Sequence, residues 1–161
     1  MATIIVEDGT IVAGANSYIT EAELTTYATD RGVTLTGSPN VLIIQSMDYT
    51  ETRDFKGTKS TEAQDLQWPR YGVTIDGYYI DSNQIPKELK NGQLATAVSI
   101  DAGFDPLSTV DRATKREKLD TLEIEYQDNA SSTALIRSVS MAFAKLVNGN
   151  MGGLFARNKR A

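Results

Sequence analysis

The stretch DLQWPRYGV, residues 65–73, holds the only tryptophan of the chain, followed at once by proline and arginine. It lies between a segment predicted to be helical and a loop rich in glycine and tyrosine. A single tryptophan at a helix end is most often a core residue. Tryptophan and arginine also dominate interface hot spots, so Trp68 and Arg70 are candidates for a contact with a partner as well.

Composition excludes several kinds of chemistry. The chain has 161 residues, is 40% hydrophobic and contains neither cysteine nor histidine. Disulfides and thiolate metal sites are therefore excluded, and so are the usual general base near neutral pH and the commonest metal ligand. No apolar run approaches the ~18 residues that span a bilayer, and no basic segment precedes an apolar one at the N-terminus. We expect one soluble domain kept in a cytoplasm, with no membrane partner, cofactor or metal.

Charge is divided unevenly along the chain. The net charge is −5, yet all 21 acidic residues lie before position 129. Residues 129–161 carry basic side chains at positions 137, 145, 157, 159 and 160 and no acidic one. This division indicates that the C-terminus faces an acidic partner, which could be another copy, a different protein or nucleic acid. A solvated basic tail is the simpler interpretation.

Local signals place the secondary structure. Residues 3–13 hold two β-branched runs around Asp8-Gly9, which predicts a hairpin. Polar and apolar residues alternate in TLEIEY (121–126), which predicts a half-buried strand. The basic stretch before it could be the other arm of a hairpin. Residues 70–84 are predicted to be a loop. Capping boxes, proline positions and apolar spacing predict helices over about 21–32, 38–53, 62–67, 85–101 and 132–147.

These elements predict a mainly α protein. We expect a compact bundle of about four to five helices, with a short N-terminal β-hairpin and a β-strand or hairpin segment near 112–127. Residues 1–149 would form this single helical domain. The segment 150–161 contains glycines and basic residues without periodicity, which is typical of a flexible basic C-terminal arm.

Motifs for catalysis are weak. Glu123 and Glu125 lie on one strand face, which strand alternation explains better than an acid–base pair does. DGYYID (76–81) lacks the acidic spacing and the closing glutamate of a calcium loop. NGNMGG (148–153) follows a helix and precedes no Lys-Ser/Thr, unlike a phosphate-binding loop. The sequence therefore predicts a protein that is not an enzyme, with no catalytic, cofactor-binding or metal-binding residues.

Nucleic-acid binding is the next class of function to consider. A sequence-independent binder combines a basic surface with aromatic side chains. Arg70 is the only basic residue from 60 through 86, and the sequence pI is about 4.8. Weak contact with DNA fits this composition, whereas tight single-strand binding is not favoured. The aromatic residues available in this region are Trp68, Tyr71, Tyr78 and Tyr79.

Four segments carry a resemblance to a known family. They are VEDGTIVAGANSYITEAEL (6–24), FKGTK with QDLQWPRYGV (55–73), IPKELKNGQLATAV (85–98) and KREKLDTLEIEY (115–126). From about residue 6 to 127 the chain resembles head–tail connector proteins of tailed bacteriophages, also called adaptor or head-completion proteins. Some relatives carry the label of a single-stranded-DNA-binding domain. A single-stranded-DNA-binding accessory protein of a phage is therefore the alternative function.

The resemblance implies a structural virion protein. Connector proteins of this kind are mostly helical and form a ring, usually of twelve copies, under the portal, where they join capsid to tail and extend the DNA channel. A ring needs two different complementary patches on each subunit, which an acidic body and a basic end could supply. The implied location is the neck of the virion, with the host cytoplasm before assembly. The implied partners are the portal protein, neighbouring copies in a ring of twelve, the next tail or stopper protein, and packaged double-stranded DNA.

The candidate contact residues lie in three places. Two belong to the WPR motif, and a second group lies in the basic arm, where Leu154 and Phe155 are expected to enter a groove on the portal or on a neighbouring subunit. A third group lies in the segment before the predicted strand, which would project from the domain. The interface candidates are Trp68, Arg70, Leu154, Phe155, Arg157, Lys159 and Arg160. The candidates in the projecting segment are Arg112, Lys115, Arg116 and Lys118.

Overall fold

The computed structural model describes residues 3–105, 116–119, 122–125 and 137–148. Within these ranges there are four helices: α1 (Glu21–Thr29), α2 (Pro39–Glu51), α3 (Lys87–Asp101) and α4 (Arg137–Phe143). Helix α3 contacts both α2 and α4, and α1 packs against α2 and α3. Helix α3 is therefore the element that joins the N-terminal and C-terminal helices.

Helix starts follow their local sequence signals. The Thr20 hydroxyl accepts the Glu23 N–H at 3.1 Å, and the Glu23 carboxylate accepts the Thr20 N–H at 2.7 Å. This completes the predicted capping box of α1. Helix α2 begins with Pro39, and α3 follows Pro86, so both use a proline where a free N–H is not needed.

Short antiparallel pairs make up the sheet structure. Strand β1 (Thr58–Lys59) pairs with β2 (Arg70–Tyr71), and β3 (Thr74–Ile75) pairs with β4 (Tyr78–Tyr79). Strand β5 (Arg116–Leu119) pairs with β6 (Leu122–Glu125), inside the segment 112–127. In register, Thr58 lies opposite Tyr71, Thr74 opposite Tyr79, and Arg116 opposite Glu125.

The predicted fold class, a compact bundle of about four to five helices with an N-terminal β-hairpin, is wrong. Between α2 and α3 the chain is irregular and is held by the pairs β1–β2 and β3–β4. The helix predicted over 62–67 does not form. The Gln64 side chain accepts the Thr61 N–H at 3.0 Å, as in a capping box, but its amide donates to the Leu66 and Pro69 carbonyls at 2.8 and 3.0 Å. Those bonds fold the chain after Gln64 back onto its side chain, which fixes a loop in place of a helical turn.

The hairpin predicted over 3–13 is also absent. Glu7 is only 2% exposed, and its carboxylate accepts three backbone N–H groups at 2.8–3.0 Å. A buried carboxylate that collects these donors closes a loop and takes them from a strand ladder. The segment makes a single parallel bridge, between Val6 and Ser17. The three donors are Gly9, Ile11 and Val12.

The core consists of two clusters. The first surrounds Trp68, which is fully buried and meets the Phe55 ring edge to face at 6.0 Å. Phe143 of α4 packs on Phe55, also at 6.0 Å, and approaches so near to Gly92 of α3 that an added Cβ would lie 2.2 Å from the Phe143 ring. The second cluster joins the first three helices. Its buried members are Ile19, Leu24, Leu42, Ile43, Leu94 and Ala97.

The C-terminal part of the described chain returns to the end of α2. After α4, the Leu146 carbonyl accepts the Lys56 N–H at 2.8 Å, and the Asn148 N–H donates to the Asp54 carbonyl at 2.9 Å. The helix predicted over 132–147 is described from Arg137 to Phe143. The predicted arm at 150–161 lies outside the described residues.

Candidate nucleic-acid interface

Arg70 holds together the loops on either side of strand β1. It is 8% exposed. Its Nε donates to the Lys56 carbonyl at 2.8 Å, and its Nη2 donates to the carbonyls of Phe55 and Gly57 at 3.2 and 2.7 Å. Its Nη1 donates to the carbonyl and the side chain of Gln67 at 3.3 and 3.1 Å. The guanidinium therefore joins two loop segments through their backbone carbonyls.

Trp68 anchors the same segment to the helices. Its backbone N–H donates to the Tyr18 hydroxyl at 3.1 Å, and that hydroxyl donates to the Glu51 carboxylate at 2.8 Å. The Glu51 carboxylate also accepts the Gln67 N–H at 3.0 Å. A chain of buried polar groups thus ties the end of α2 to the residues that precede β2.

Burial sets the protonation of this polar chain. Desolvation raises the pKa of the Glu51 carboxyl, although hydrogen bonds from Tyr18 and Gln67 act in the opposite direction. Desolvation and then the Glu51 charge raise the pKa of the Tyr18 phenol, so the phenol keeps its proton and donates. Desolvation lowers the pKa of Arg70, but a guanidinium still stays charged.

The structure brings two predicted interface residues together inside the protein. Trp68 is fully buried, and the Arg70 guanidinium is occupied by backbone carbonyls. Neither side chain offers appreciable surface to a partner in this conformation. On β5, the register places Arg116 opposite Glu125 and Lys118 opposite Glu123. The predicted contact residues outside the described ranges are Arg112, Lys115, Leu154, Phe155, Arg157, Lys159 and Arg160.

Three exposed tyrosines lie beside the buried cluster. Tyr71 on β2 is 60% exposed, and Tyr78 and Tyr79 on β4 are 78% and 55% exposed. The Tyr71 and Tyr79 rings meet edge to face with centroids 6.4 Å apart. Because successive strand residues point to opposite faces, Tyr78 presents its ring on the other side of the ribbon. We refer to Tyr71, Tyr78 and Tyr79 as the tyrosine surface.

A two-residue turn holds Tyr78 and Tyr79 in place. Asp76 and Gly77 join β3 to β4 with φ angles of 51° and 89°, as a type I′ turn requires. Ile75 on β3 is buried and packs in the first core cluster. The sequence analysis treated 70–84 as a loop. Asp-Gly between TI and YY was the signal that could have identified this hairpin.

Three lysines lie on segments that adjoin the tyrosine surface. Lys59 lies opposite Arg70 in the β1–β2 pair, beside the Thr58–Tyr71 pair, and its ammonium donates to the Gln64 carbonyl at 3.4 Å. Lys145 forms an ion pair with Asp76 of the turn, and the Lys56 ammonium donates to the Lys145 carbonyl at 2.8 Å. Sequence reasoning missed this grouping, because the lysines lie outside the 60–86 window and Lys145 is distant along the chain.

The arrangement provides aromatic faces and ammonium groups. Aromatic side chains stack on nucleobases of any sequence, and lysines neutralise phosphates. In the described ranges, no group of three His, Cys, Asp or Glu side chains could hold a metal ion. The helices described here include none that is long and apolar enough to cross a membrane.

Together, the fold and the tyrosine surface define a small protein of helices and short strand pairs that carries an aromatic surface of the kind used to bind single strands. Residues 2–161 match the family described as "Putative DnaT-like ssDNA binding protein", and the chain belongs to this family. No curated protein and no solved structure matches the chain. The matched family is not a connector family, so the resemblance to head–tail connectors still rests on sequence motifs alone.

Proposed function

We propose that this protein binds single-stranded DNA by stacking bases on Tyr71, Tyr78 and Tyr79. The observation that carries the proposal is the exposure of these three rings, each more than half accessible, within two adjoining strand pairs. Exposed aromatic side chains that lie close together are typical of binding sites; Tyr71 and Tyr79 form such a pair, and Tyr78 adds a ring on the other face of the ribbon. The family description points to the same ligand.

Charge limits the strength of this binding. Lys56, Lys59 and Lys145 can meet phosphates, but the whole chain carries a net charge of −5. Asp76 also lies at the turn and already pairs with Lys145. Because like charges repel the phosphate backbone, we expect weak, sequence-independent binding in which stacking supplies most of the affinity.

Alanine variants of the tyrosine surface test the proposal. Loss of one stacked base costs about 1–3 kcal/mol, so each single variant should weaken binding of a labelled oligo-dT by roughly fivefold or more. The triple variant Tyr71→Ala, Tyr78→Ala, Tyr79→Ala should show no measurable binding. Fluorescence anisotropy at a fixed physiological salt concentration measures the affinity.

Met141→Ala is the matched control, because Met141 is a large apolar side chain that is 62% exposed on α4 and lies outside the tyrosine surface. It should leave the affinity unchanged. Circular dichroism of each variant checks that the fold is intact. Equal binding by the wild-type protein and the folded triple variant would remove the tyrosine surface from the proposal, and no binding by the wild-type protein would reject the function itself.

A second candidate function is a structural virion protein that forms a ring under the portal and joins capsid to tail. The observation that favours it is the separation of charge, since all 21 acidic residues precede position 129 and residues 129–161 carry only basic ones. Complementary ends suit head-to-tail contacts between copies. The proposed partners are then the portal protein, neighbouring copies in a ring of twelve, the next tail or stopper protein, and packaged double-stranded DNA, all in the virion neck.

Virions assembled without the protein test this second candidate. Heads and tails should fail to join, and electron microscopy of complete virions should show a ring of density below the portal. Normal joining without the protein would reject it. Neither function involves covalent chemistry, and we propose that the protein is not an enzyme, since the chain contains no histidine or cysteine.

A further inference from the structure

A pocket opens at the end of the protein where α1 finishes and α2 begins. Its volume is about 460 Å³, within the range of pockets that accept small ligands or side chains. The walls come from the last turns of α1, the loop 32–37 and Pro39. The lining residues on which the argument rests are Thr25, Ala28, Thr29, Val33, Leu35 and Pro39.

The pocket walls favour an apolar occupant. The hydroxyl groups of Thr25 and Thr29 donate to carbonyls of their own helix at 3.0 and 2.8 Å. These threonines therefore have no unsatisfied donor to offer a ligand. Val33, which lines the pocket, remains 36% exposed. An occupant that covers this apolar surface would remove it from water.

Acidic groups stand around the pocket. The Asp101 carboxylate accepts the N–H groups of Thr36 and Gly37 at 2.7–3.1 Å, which fixes the wall loop and holds the pKa of Asp101 below its usual value. Glu21 precedes Thr25 by one helical turn and lies on the same helix face. Arg31, the basic residue of the same loop, lies over the Tyr27 ring, 3.4 Å from its centroid, and keeps its positive charge, so Asp101 and Glu21 outnumber it. The mouth therefore favours a basic partner.

We infer that this pocket receives Leu154 and Phe155 of a second copy of the chain, with the basic residues that follow them facing Asp101 and Glu21. The segment LFARNKR (154–160) places two large apolar side chains directly before three basic ones. Apolar walls and acidic groups at the mouth complement this order of side chains. The inference does not depend on DNA binding, and it gives the proposed ring a specific head-to-tail contact.

The length of chain between Asn148 and Leu154 favours an arm from a second copy over the arm of the same molecule. Asn148 is fixed at Asp54, beyond the end of α2, by a backbone bond of 2.9 Å. The pocket lies at the opposite end of α2, and a helix of 13 residues is about 20 Å long. Leu154 follows Asn148 by six residues, which span at most ~20–22 Å when fully extended. The arm would need to run straight along α2 without slack, whereas the arm of a neighbouring copy has no such limit.

Disulfide trapping between separate copies tests this contact, because the chain has no cysteine of its own. Thr34→Cys places a thiol in the pocket wall, and Phe155→Cys places one in the arm. The two single variants, mixed under mild oxidation, should form a heterodimer on a non-reducing gel at least tenfold more than the control mixture. The control pairs Phe155→Cys with Ala63→Cys, an exposed position in the loop before β2.

Three results would overturn the inference. These are a yield equal to that of the control mixture, preferential trapping with Ala63→Cys, and a double variant Thr34→Cys, Phe155→Cys that closes an intramolecular disulfide at high dilution. The last result would assign the pocket to the arm of the same molecule. None of these substitutions touches the tyrosine surface, so oligo-dT binding by the same variants reports separately on DNA binding.

Discussion

At the scale of single residues, Arg70 is a charged side chain that lies buried and binds backbone carbonyls. The sequence suggested a partner contact, because arginine after tryptophan is typical of interface hot spots. In the structure the guanidinium satisfies backbone carbonyls of residues 55–57 and 67. Three of these acceptors lie 13 to 15 residues away in sequence, so their convergence on one side chain is visible only after folding.

Replacement of Arg70 by methionine should destabilise the protein. Met keeps most of the apolar volume but leaves the carbonyls of Phe55 and Gly57 without a donor in a mostly buried place. Each unsatisfied buried acceptor costs about 1–3 kcal/mol, so we expect a loss of roughly 2–4 kcal/mol in the free energy of unfolding. The midpoint of urea unfolding, followed by Trp68 fluorescence, measures it.

Arg31→Met is the matched control. Arg31 is exposed and stacks on Tyr27, an arrangement worth about 0.5–1 kcal/mol. Its effect should therefore be the smaller of the two. If Arg70→Met unfolds at the wild-type urea concentration, the hydrogen bonds described for Arg70 do not stabilise the fold, and a role in partner contact becomes the better explanation.

At the scale of elements, two Asp-Gly pairs show that the same local signal can give a hairpin in one place and a loop in another. Asp76-Gly77 forms a hairpin turn, whereas Asp8-Gly9 does not. Both are followed by residues with high strand propensity. The difference lies in Glu7, which directly precedes the first pair and whose buried carboxylate takes the N–H groups that a ladder would use. A competing side chain thus overrides a strong local signal.

Alanine substitutions at Gly77 and at Gly9 should distinguish the cost of a positive φ from the cost of a steric clash. Gly77 has a φ of 89° and open space around it, so Gly77→Ala should cost only the strain of a positive φ, about 1–2 kcal/mol. Gly9 has a φ of 108°, and an added Cβ would lie 1.9 Å from the Asn83 carbonyl oxygen. Gly9→Ala should therefore cost about 1–3 kcal/mol more, because the backbone near residue 83 must move. Urea unfolding of both variants in one buffer gives the comparison.

Equal losses for the two variants would contradict the packing of residue 9 against residue 83. Binding of oligo-dT provides a second readout, because Gly77 lies in the turn that presents Tyr78 and Tyr79 whereas Gly9 does not. Gly77→Ala should weaken binding, and Gly9→Ala should leave the affinity of the folded fraction unchanged.

Helices α1, α2 and α3 could be predicted because their signals are local. The capping box of α1, Pro39 at the first position of α2 and Pro86 before α3 lie at the helix starts that they specify. The stretch between α2 and α3 could not be predicted in the same way. Its geometry depends on Arg70, Glu51 and Tyr18, whose partners lie 13 to 50 residues away in sequence. Such contacts leave no periodic pattern to recognise.

At the scale of the whole molecule, the candidate site combines parts that sequence reasoning had kept separate. The aromatic residues at 71–79 were recognised, but only one basic residue was found near them in sequence. Folding adds Lys56 and Lys59 from the segment before β2, and Lys145 from the turn after α4. The site is therefore more basic than its sequence window, although the molecule as a whole is acidic, and this contrast determines how DNA binding should respond to salt.

The salt dependence of oligo-dT binding should be shallow. Three lysines border the tyrosine surface, and each phosphate neutralised on a single strand contributes ~0.7 to the slope of log K against log salt concentration. We therefore expect a slope no steeper than about −2, or a roughly 10–20-fold loss of affinity between 50 and 200 mM NaCl. Substitution of Arg157, Lys159 and Arg160 by glutamine should leave that slope unchanged, because the arm is assigned to a neighbouring copy. A slope near −4 that this triple substitution returns to about −2 would mean that the arm grips the DNA and that its basic residues contact phosphates rather than Asp101 and Glu21.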